Sequence, residues 1–378
     1  MFDVIIPILI FILILSIVIF IHEFGHYIFA IRAGIFVEEF ALGMGPKLFG
    51  FYGKKKSAHP KSDAEEDEYT LYSLRMFPIG GFCKMRGQDE DVPDDPEAMN
   101  NKPVFSRIMV IAGGSIMNFI LAFVLFFALV MLRGFPVAEV TLLREDMPGY
   151  QAGLMIGDRI THINGVRVIL YEDFMFMLDT SGGQELEVRV NRGAESLTFF
   201  ITPVMGEDGN FLIGFRPGRR FGILQERFYD PYFPFYRVGI GEGLLTSAEM
   251  IGFHIRAPFR LLARFIAGSP MPEGGGVMGP IGIGGIITEV YQDVVEHGVL
   301  DTVLTMLFFT ALLSAVLGVM NLLPIPALDG ARLIFLFIEA IRRKPVAPER
   351  EAMVHFVGIV TLLMLAVFIA YRDIARLL

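Results

Sequence analysis

His22-Glu23-Phe24-Gly25-His26 closes an apolar run that extends from Val4 to Ile21. The run has the length and composition of a membrane-crossing helix. On a helix, two histidines four residues apart project from one face and can share one metal ion. Glu23 lies beside them, where its carboxylate could take a proton from a metal-bound water. A charge at the centre of a membrane helix costs about 2.5–3.5 kcal/mol on insertion scales, so ionisable residues there are rarely idle. The competing reading is a helix end that has already reached water, where the same residues cost little.

The whole chain supports a membrane location. It is 53% hydrophobic and 19% charged, and its mean hydropathy is positive. Four spans are expected, near residues 4–30, 106–132, 302–322 and 352–371, so the fold class is a polytopic α-helical membrane protein. The first run follows Met1-Phe2-Asp3 with no basic flank and no small-residue cleavage site, which reads as a retained helix. Basic residues crowd the segment between spans one and two, including Lys54, Lys55, Lys56, Arg75 and Arg86. They recur between spans three and four as Arg332, Arg342, Arg343, Lys344 and Arg350. By the positive-inside rule both segments are cytoplasmic, and the termini and the long central region face outward. The acidic run Asp63 to Glu68 reads as a solvated linker. The lone cysteine, Cys83, permits no intrachain disulfide and reads as an inert thiol. The net charge of −9 carries no nucleic-acid signature.

Two histidines do not complete a catalytic zinc site, which ordinarily has three protein ligands and an open position. The best third candidate is Asp329, in Asn321-Leu322-Leu323-Pro324-Ile325-Pro326-Ala327-Leu328-Asp329-Gly330. Two prolines break the helix there, and Asp-Gly invites a turn. Irregular backbone at membrane depth survives only where protein buries it or a cavity runs beside it. Taken alone, Asp329 could be an ordinary turn residue at the membrane surface; beside the histidine pair, a ligand is the better reading.

These two motifs together resemble the site-2 protease family of intramembrane zinc metalloproteases, in particular the bacterial branch that includes the regulator-of-sigma-E protease. The resemblance covers nearly the whole chain. It implies that Zn2+ is the cofactor, that His22, His26 and Asp329 are its ligands, and that Glu23 is the general base. It also implies that Asn321 contacts the substrate backbone or the developing oxyanion. Two departures are visible: Ala331 stands where a second glycine often follows Leu-Asp-Gly, and Gly113-Gly114-Ser115-Ile116-Met117-Asn118 lacks the proline of the corresponding family segment. Neither removes a ligand or the base.

Residues from Pro136 to Pro203 look like one PDZ domain, carried by Ala152-Gly153-Leu154-Met155-Ile156-Gly157-Asp158-Arg159-Ile160-Thr161-His162-Ile163-Asn164-Gly165. Asn164-Gly165 is a tight-turn signal between β-rich runs. PDZ folds bind an extended chain by strand addition, and the expected edge is Val137, Ala138, Glu139 and Val140. A size filter that binds no peptide is the rival role. Phe40 to Phe51 and Tyr69 to Met85 carry strand-like runs and resemble the family's membrane-associated β-hairpin. A sheet edge there could receive a substrate helix as it unwinds, because hydrolysis needs a carbonyl freed from its i→i−4 bond. Arg256, Arg260 and Arg264 fit one face of a juxtamembrane helix. Gly274-Gly275-Gly276 reads as a hinge.

The expected organisation is therefore a first transmembrane helix with the metal motif (1–34), a cytoplasmic loop with the β element (35–103), a second transmembrane helix (104–134), and the PDZ domain (135–204). A juxtamembrane helical region (205–300), a third helix with Leu-Asp-Gly (301–330), a cytoplasmic loop (331–351) and a fourth helix (352–378) follow. The resemblance implies a multi-pass protein of the bacterial inner membrane with its zinc near the cytoplasmic side. Its partners would be single-span membrane proteins, such as a shortened anti-sigma factor or a remnant signal peptide, the lipid bilayer, and a peptide ligand of the PDZ domain. The sequence holds no Gly-x-Ser-Gly for a serine-type intramembrane protease. A catalytically silent PDZ-containing adaptor is the alternative, against which the intact Glu23 argues. Neither inverted repeats nor many intramembrane carboxylates suggest a transporter. His59, His162, His254, His297 and His355 show no ligand spacing and read as packing or solvent histidines.

Overall fold

A computed structural model describes residues 2–57, 69–88, 92–206, 210–224, 237–266 and 279–377. The acidic linker at Asp63 to Glu68 and the glycine hinge at Gly274 to Gly276 lie outside these residues. In chain order the elements are α1 (Phe2–Arg32), β1 (Val37–Lys56), β2 (Tyr69–Met85), α2 (Val104–Arg133), β3 (Phe135–Leu143), α3 (Pro148–Gln151), β4 (Arg159–Ile163) and β5 (Val166–Arg167). They continue with α4 (Tyr171–Asp179), β6 (Leu186–Arg192), β7 (Glu195–Ile201), β8 (Val204–Met205), β9 (Phe211–Leu212) and β10 (Phe215–Arg220). The chain ends in α5 (Ile240–Ile266), α6 (Pro280–Val295), α7 (Val299–Leu322), α8 (Asp329–Arg342) and α9 (Pro348–Leu377). Among the described residues, four helical segments are long and apolar enough to cross a membrane: Ile5–Arg32, Val104–Arg133, Val299–Leu322 and Glu349–Asp373. The chain divides into two compact units, one of residues 1–122 and 278–378, the other of residues 123–277.

In the first unit, α1 packs on α6 and α7 through buried Ile14, Val18, Ile287 and Met306. Its other end joins β1, β2, α2 and α8 in a second cluster that includes Ala30, Phe40, Cys83, Val110 and Leu333. Small residues bring the helix backbones close, as they do wherever lipid offers no competing hydrophobic drive. Ala311, Ala315 and Gly318 form such a stripe on α7, where the Ser314 hydroxyl donates to the Asn118 carbonyl of α2 at 2.8 Å. The strands β1 and β2 bend so that Glu39 to Leu42 of β1 pair with two parts of β2. Phe40 lies opposite both Cys83 and Tyr72, and Ala41 opposite both Phe82 and Ser73. Positive φ at Gly43 (86°), Gly45 (83°) and Gly80 (94°) makes these bends possible. Residues 331–351, expected as a loop, contain most of α8. Its core side chains Leu333 and Leu336 are three apart, a helical spacing hidden between two basic clusters.

In the second unit, a sheet in the order β10-β3-β4-β6-β7 encloses a core of Ile160, Ile163, Phe174, Leu178, Val188, Val190 and neighbours. Asn164 (φ 49°) and Gly165 (φ 75°) turn the chain between β4 and β5. Asp158 is fully buried and accepts from Arg192 Nε and Nη2, each at 2.7 Å, and from the Met155 amide at 2.9 Å. The expected binding edge at Val137, Ala138, Glu139 and Val140 is corrected: β3 is an interior strand. On one side Val137 and Val140 pair with Gly218 and Pro217 of β10, and on the other Glu139 pairs with Arg159 of β4. The unit therefore extends past residue 204 to include β10. Pro217 disguised that strand, and it is tolerated because β10 lies at the end of the sheet.

Candidate metal centre

The site sits where α1, α2 and the segment entering α8 meet in the first unit. His22 and His26 occupy one face of α1 and are almost wholly buried. Asp329 is the first helical residue of α8, where the exposed N–H groups of a helix start favour a carboxylate. His22 Nε2 lies 3.1 Å from Asp329 Oδ2, His26 Nε2 lies 3.2 Å from the same oxygen, and the two Nε2 atoms are 3.2 Å apart. Nitrogen and oxygen ligands about 2.0–2.2 Å from a tetrahedral zinc stand roughly 3.3–3.6 Å from one another. A widening of a few tenths of an ångström would admit the ion.

The surroundings of each imidazole favour a cation over a hydrogen bond between the three. His26 Nδ1 lies 2.9 Å from the Val110 carbonyl, which can only accept, so the proton sits on Nδ1 and the Nε2 lone pair faces the triangle. The Asn118 amide nitrogen is 3.3 Å from His22 Nδ1, while its own Oδ1 is buried without a partner among the described residues. Turning the amide by half a revolution lets Oδ1 accept from His22 Nδ1–H and aims a second Nε2 lone pair inward. Asp329 Oδ2 is likewise buried with no hydrogen-bond donor of acceptable geometry among the described residues. Three electron-pair donors facing each other at this range need a positive charge between them. Each feature suits a zinc ion with its supporting outer shell.

Glycines in α2 make room for this arrangement. A Cβ on Gly114 would stand 2.6 Å from both His22 Cε1 and His26 Nε2. A Cβ on Gly113 would meet Phe29 Cδ2 at 2.6 Å and the Gly25 carbonyl at 3.0 Å. Asn321, at the end of α7, puts its amide nitrogen 3.3 Å from His22 Nε2. A cavity of about 360 Å³ opens on the triangle, with Glu23, Asn321, Phe82, Cys83 and Arg332 in its wall. Glu23 stands against β2, its Cγ 3.5 Å from where a Cβ on Gly81 would lie, so the strand borders it at the cavity. Burial, with a contribution from the Glu23 charge, pushes the Cys83 thiol well above its usual range and keeps it protonated, which fits an inert thiol.

The structure thus brings His22, His26, Asp329, Glu23 and Asn321 to one cavity, and leaves Val137 to Val140 in the other unit. Sequence reasoning missed how Asp329 is delivered. Leu323 to Leu328 is not helical, and Ala327 has φ 80°. A non-glycine residue in that region costs about 1–2 kcal/mol, and the local signal was only the pair of prolines around Ile325.

The model of peptidase family M50 matches residues 10–365. The regulator of sigma-W protease RasP of Bacillus subtilis is 30% identical over 450 aligned residues, which cover 97% of this chain and 98% of the relative. The zinc metalloprotease RasP of Bacillus licheniformis is 31% identical over 449, with the same coverage. Among solved structures, the PDZ domain of the SdrC-like protein from Listeria monocytogenes is 21% identical over 21% of this chain and 84% of its own. Its TM-score of 0.20 is too low to bear on the fold.

Proposed function

The chain belongs to peptidase family M50, the site-2 proteases, and on that footing we propose that it hydrolyses peptide bonds of single-span membrane proteins within or beside the bilayer, using the cavity at His22, His26 and Asp329. It is a zinc metalloprotease, and four of its described helices are long and apolar enough to span a membrane. The observation that carries the reading of the site is the triangle of two Nε2 atoms and one carboxylate oxygen.

His22, His26 and Asp329 would hold the zinc ion. When bound, it supplies a Lewis acid that polarises the scissile carbonyl and lowers the pKa of water towards neutrality. Glu23 receives the proton of the attacking water on its carboxylate and returns it to the departing amine nitrogen. Asn321 Nδ2 donates to the carbonyl oxygen as negative charge develops there. The segment Gly81 to Met85 of β2 pairs with β1 on one side and has no strand partner on the other among the described residues, where an unwound substrate strand would add; Phe82 and Cys83 in the cavity wall support that docking. The basic residues between the first and second spans, and those from Arg332 to Arg350 that follow the α7–α8 connection, support a site on the cytoplasmic side of a bacterial inner membrane, with both termini and the second unit outside.

The second unit has the strand and turn pattern of a PDZ domain. Added peptide would meet an end strand of the sheet, β7 or β10, not β3. At β10, Pro217 cannot donate from its backbone nitrogen, and Arg216, Arg219 and Arg220 blunt the edge. These residues support a screening role over strand addition at β10.

The deciding experiment compares wild type with Glu23→Gln, both full length in detergent, for zinc content and for cleavage of a model single-span substrate. One zinc in each, with cleavage reduced at least 10²-fold in the variant, is expected for loss of a general base. Zinc in both with cleavage by neither, across several single-span substrates, would favour the silent adaptor. Equal cleavage by both would remove Glu23 from the mechanism.

A further inference from the structure

His355, on α9, is bonded to the turn that delivers Asp329. The Ala327 amide donates to His355 Nδ1 at 3.1 Å. Within the same turn, the Leu328 amide donates to the Ile325 carbonyl at 3.1 Å. With Pro326 in the second position and Ala327 at φ 80°, this is the pattern of a type II turn, whose third residue is normally glycine. Type I and type II turns differ by a flip of the peptide between their two central residues. Here that peptide joins Pro326 to Ala327, and its N–H is the one His355 accepts. Alanine by itself favours the type I form, which avoids positive φ. The hydrogen bond from Ala327 is therefore spent on the one choice the local sequence disfavours.

Three residues along α9, on the same helix face, Gly358 abuts the same peptide. A Cβ there would lie 2.7 Å from the Pro326 carbonyl carbon and 2.8 Å from its oxygen. The His355 ring also packs against Phe335 of α8, with centroids 6.0 Å apart. The imidazole thus touches both the turn and the helix that Asp329 begins.

We infer that His355 is a positioning residue: through Nδ1 it selects the turn at Ile325 to Leu328 that sets the Asp329 carboxylate against His22 and His26. The inference rests on Asp329 being a metal ligand, as proposed above. It gives a role to a histidine without ligand spacing, and it explains why alanine suffices where such a turn ordinarily needs glycine.

The test measures zinc affinity by chelator competition on the full-length protein in detergent, for wild type, His355→Leu, His355→Asn, Ala327→Gly and the double variant His355→Leu/Ala327→Gly. Loss of the hydrogen bond from Ala327 in His355→Leu should weaken zinc binding about tenfold. Asparagine can place Oδ1 where Nδ1 was, so His355→Asn should stay within about threefold of wild type. Glycine takes positive φ without a Cβ penalty, so in the Ala327→Gly background the effect of His355→Leu should shrink to about threefold. Wild-type affinity in His355→Leu, or an undiminished effect in the double variant, overturns the inference. If His355→Leu does not fold, His355→Asn decides, and tenfold weakening there overturns it. Wild type that cannot bind zinc at all would overturn the metal reading and this inference with it, a result distinct from one in which wild type binds and the variants do not differ.

Discussion

In the first unit, two of the three converging side chains share one helix and are four residues apart, while the third arrives on α8 after a turn. In the second unit, the strand that closes the sheet, β10, comes from a stretch with a proline, a glycine and three arginines. The histidine pair is legible because its geometry is local: the helical repeat alone stacks His22 over His26. The sheet edge is not, because strand order depends on pairing between segments distant in the chain. Asp329 belongs with the sheet in this respect. Its residue type and proline context mark it as a candidate, but its approach to the histidines depends on α2, α8 and α9.

The sharpest way to break this comparison is at Gly114. Its hydrogen is all that fits against the two imidazoles, so Gly114→Leu should abolish stoichiometric zinc binding in protein that still elutes as a folded species, measured by metal analysis after size exclusion. Retained zinc would mean that α2 does not shape the centre. Ile163→Ala addresses the other unit. Ile163 is 1% exposed in a closed core, so the substitution should cost about 2–5 kcal/mol of local stability, read from hydrogen exchange in β4 and β6. Zinc content should not change. Exchange also tests the strand order without any substitution. The Val140 amide donates to the Asp158 carbonyl at 2.9 Å, and β3 is paired on both sides, so amides of Val137 to Val140 should exchange more slowly than those of β10. Equal rates would reopen β3 as an edge. At the bottom of the scale, Arg144 and Asp146 form a bidentate pair in full solvent, and Arg144→Ala should change neither zinc content nor thermal unfolding measurably.

Other parts of the molecule divide along the same line. Asn164-Gly165 predicted a two-residue turn, and both residues take the positive φ that such a turn requires. The Leu-Asp-Gly motif predicted a turn at Asp329, whereas the turn lies one residue earlier and Asp329-Gly330 starts a helix. Asx-Gly signals either a hairpin or a helix start, and only the packing of Leu333 and Leu336 decided between them.

From the sequence alone came four apolar segments of membrane length, the face shared by His22 and His26, the acid beside them, and the candidacy of Asp329 and Asn321. All but Asn321, which only the family resemblance singled out, follow from residue type and short-range periodicity. The tertiary structure decided the proton position on His26 through the Val110 carbonyl, the space at Gly114, the pairing of β3 with β10, and the bond from Ala327 to His355. Each of these is a contact between residues far apart in the chain. Such contacts are specified by how whole faces pack and how buried polar groups find partners, which no local pattern records.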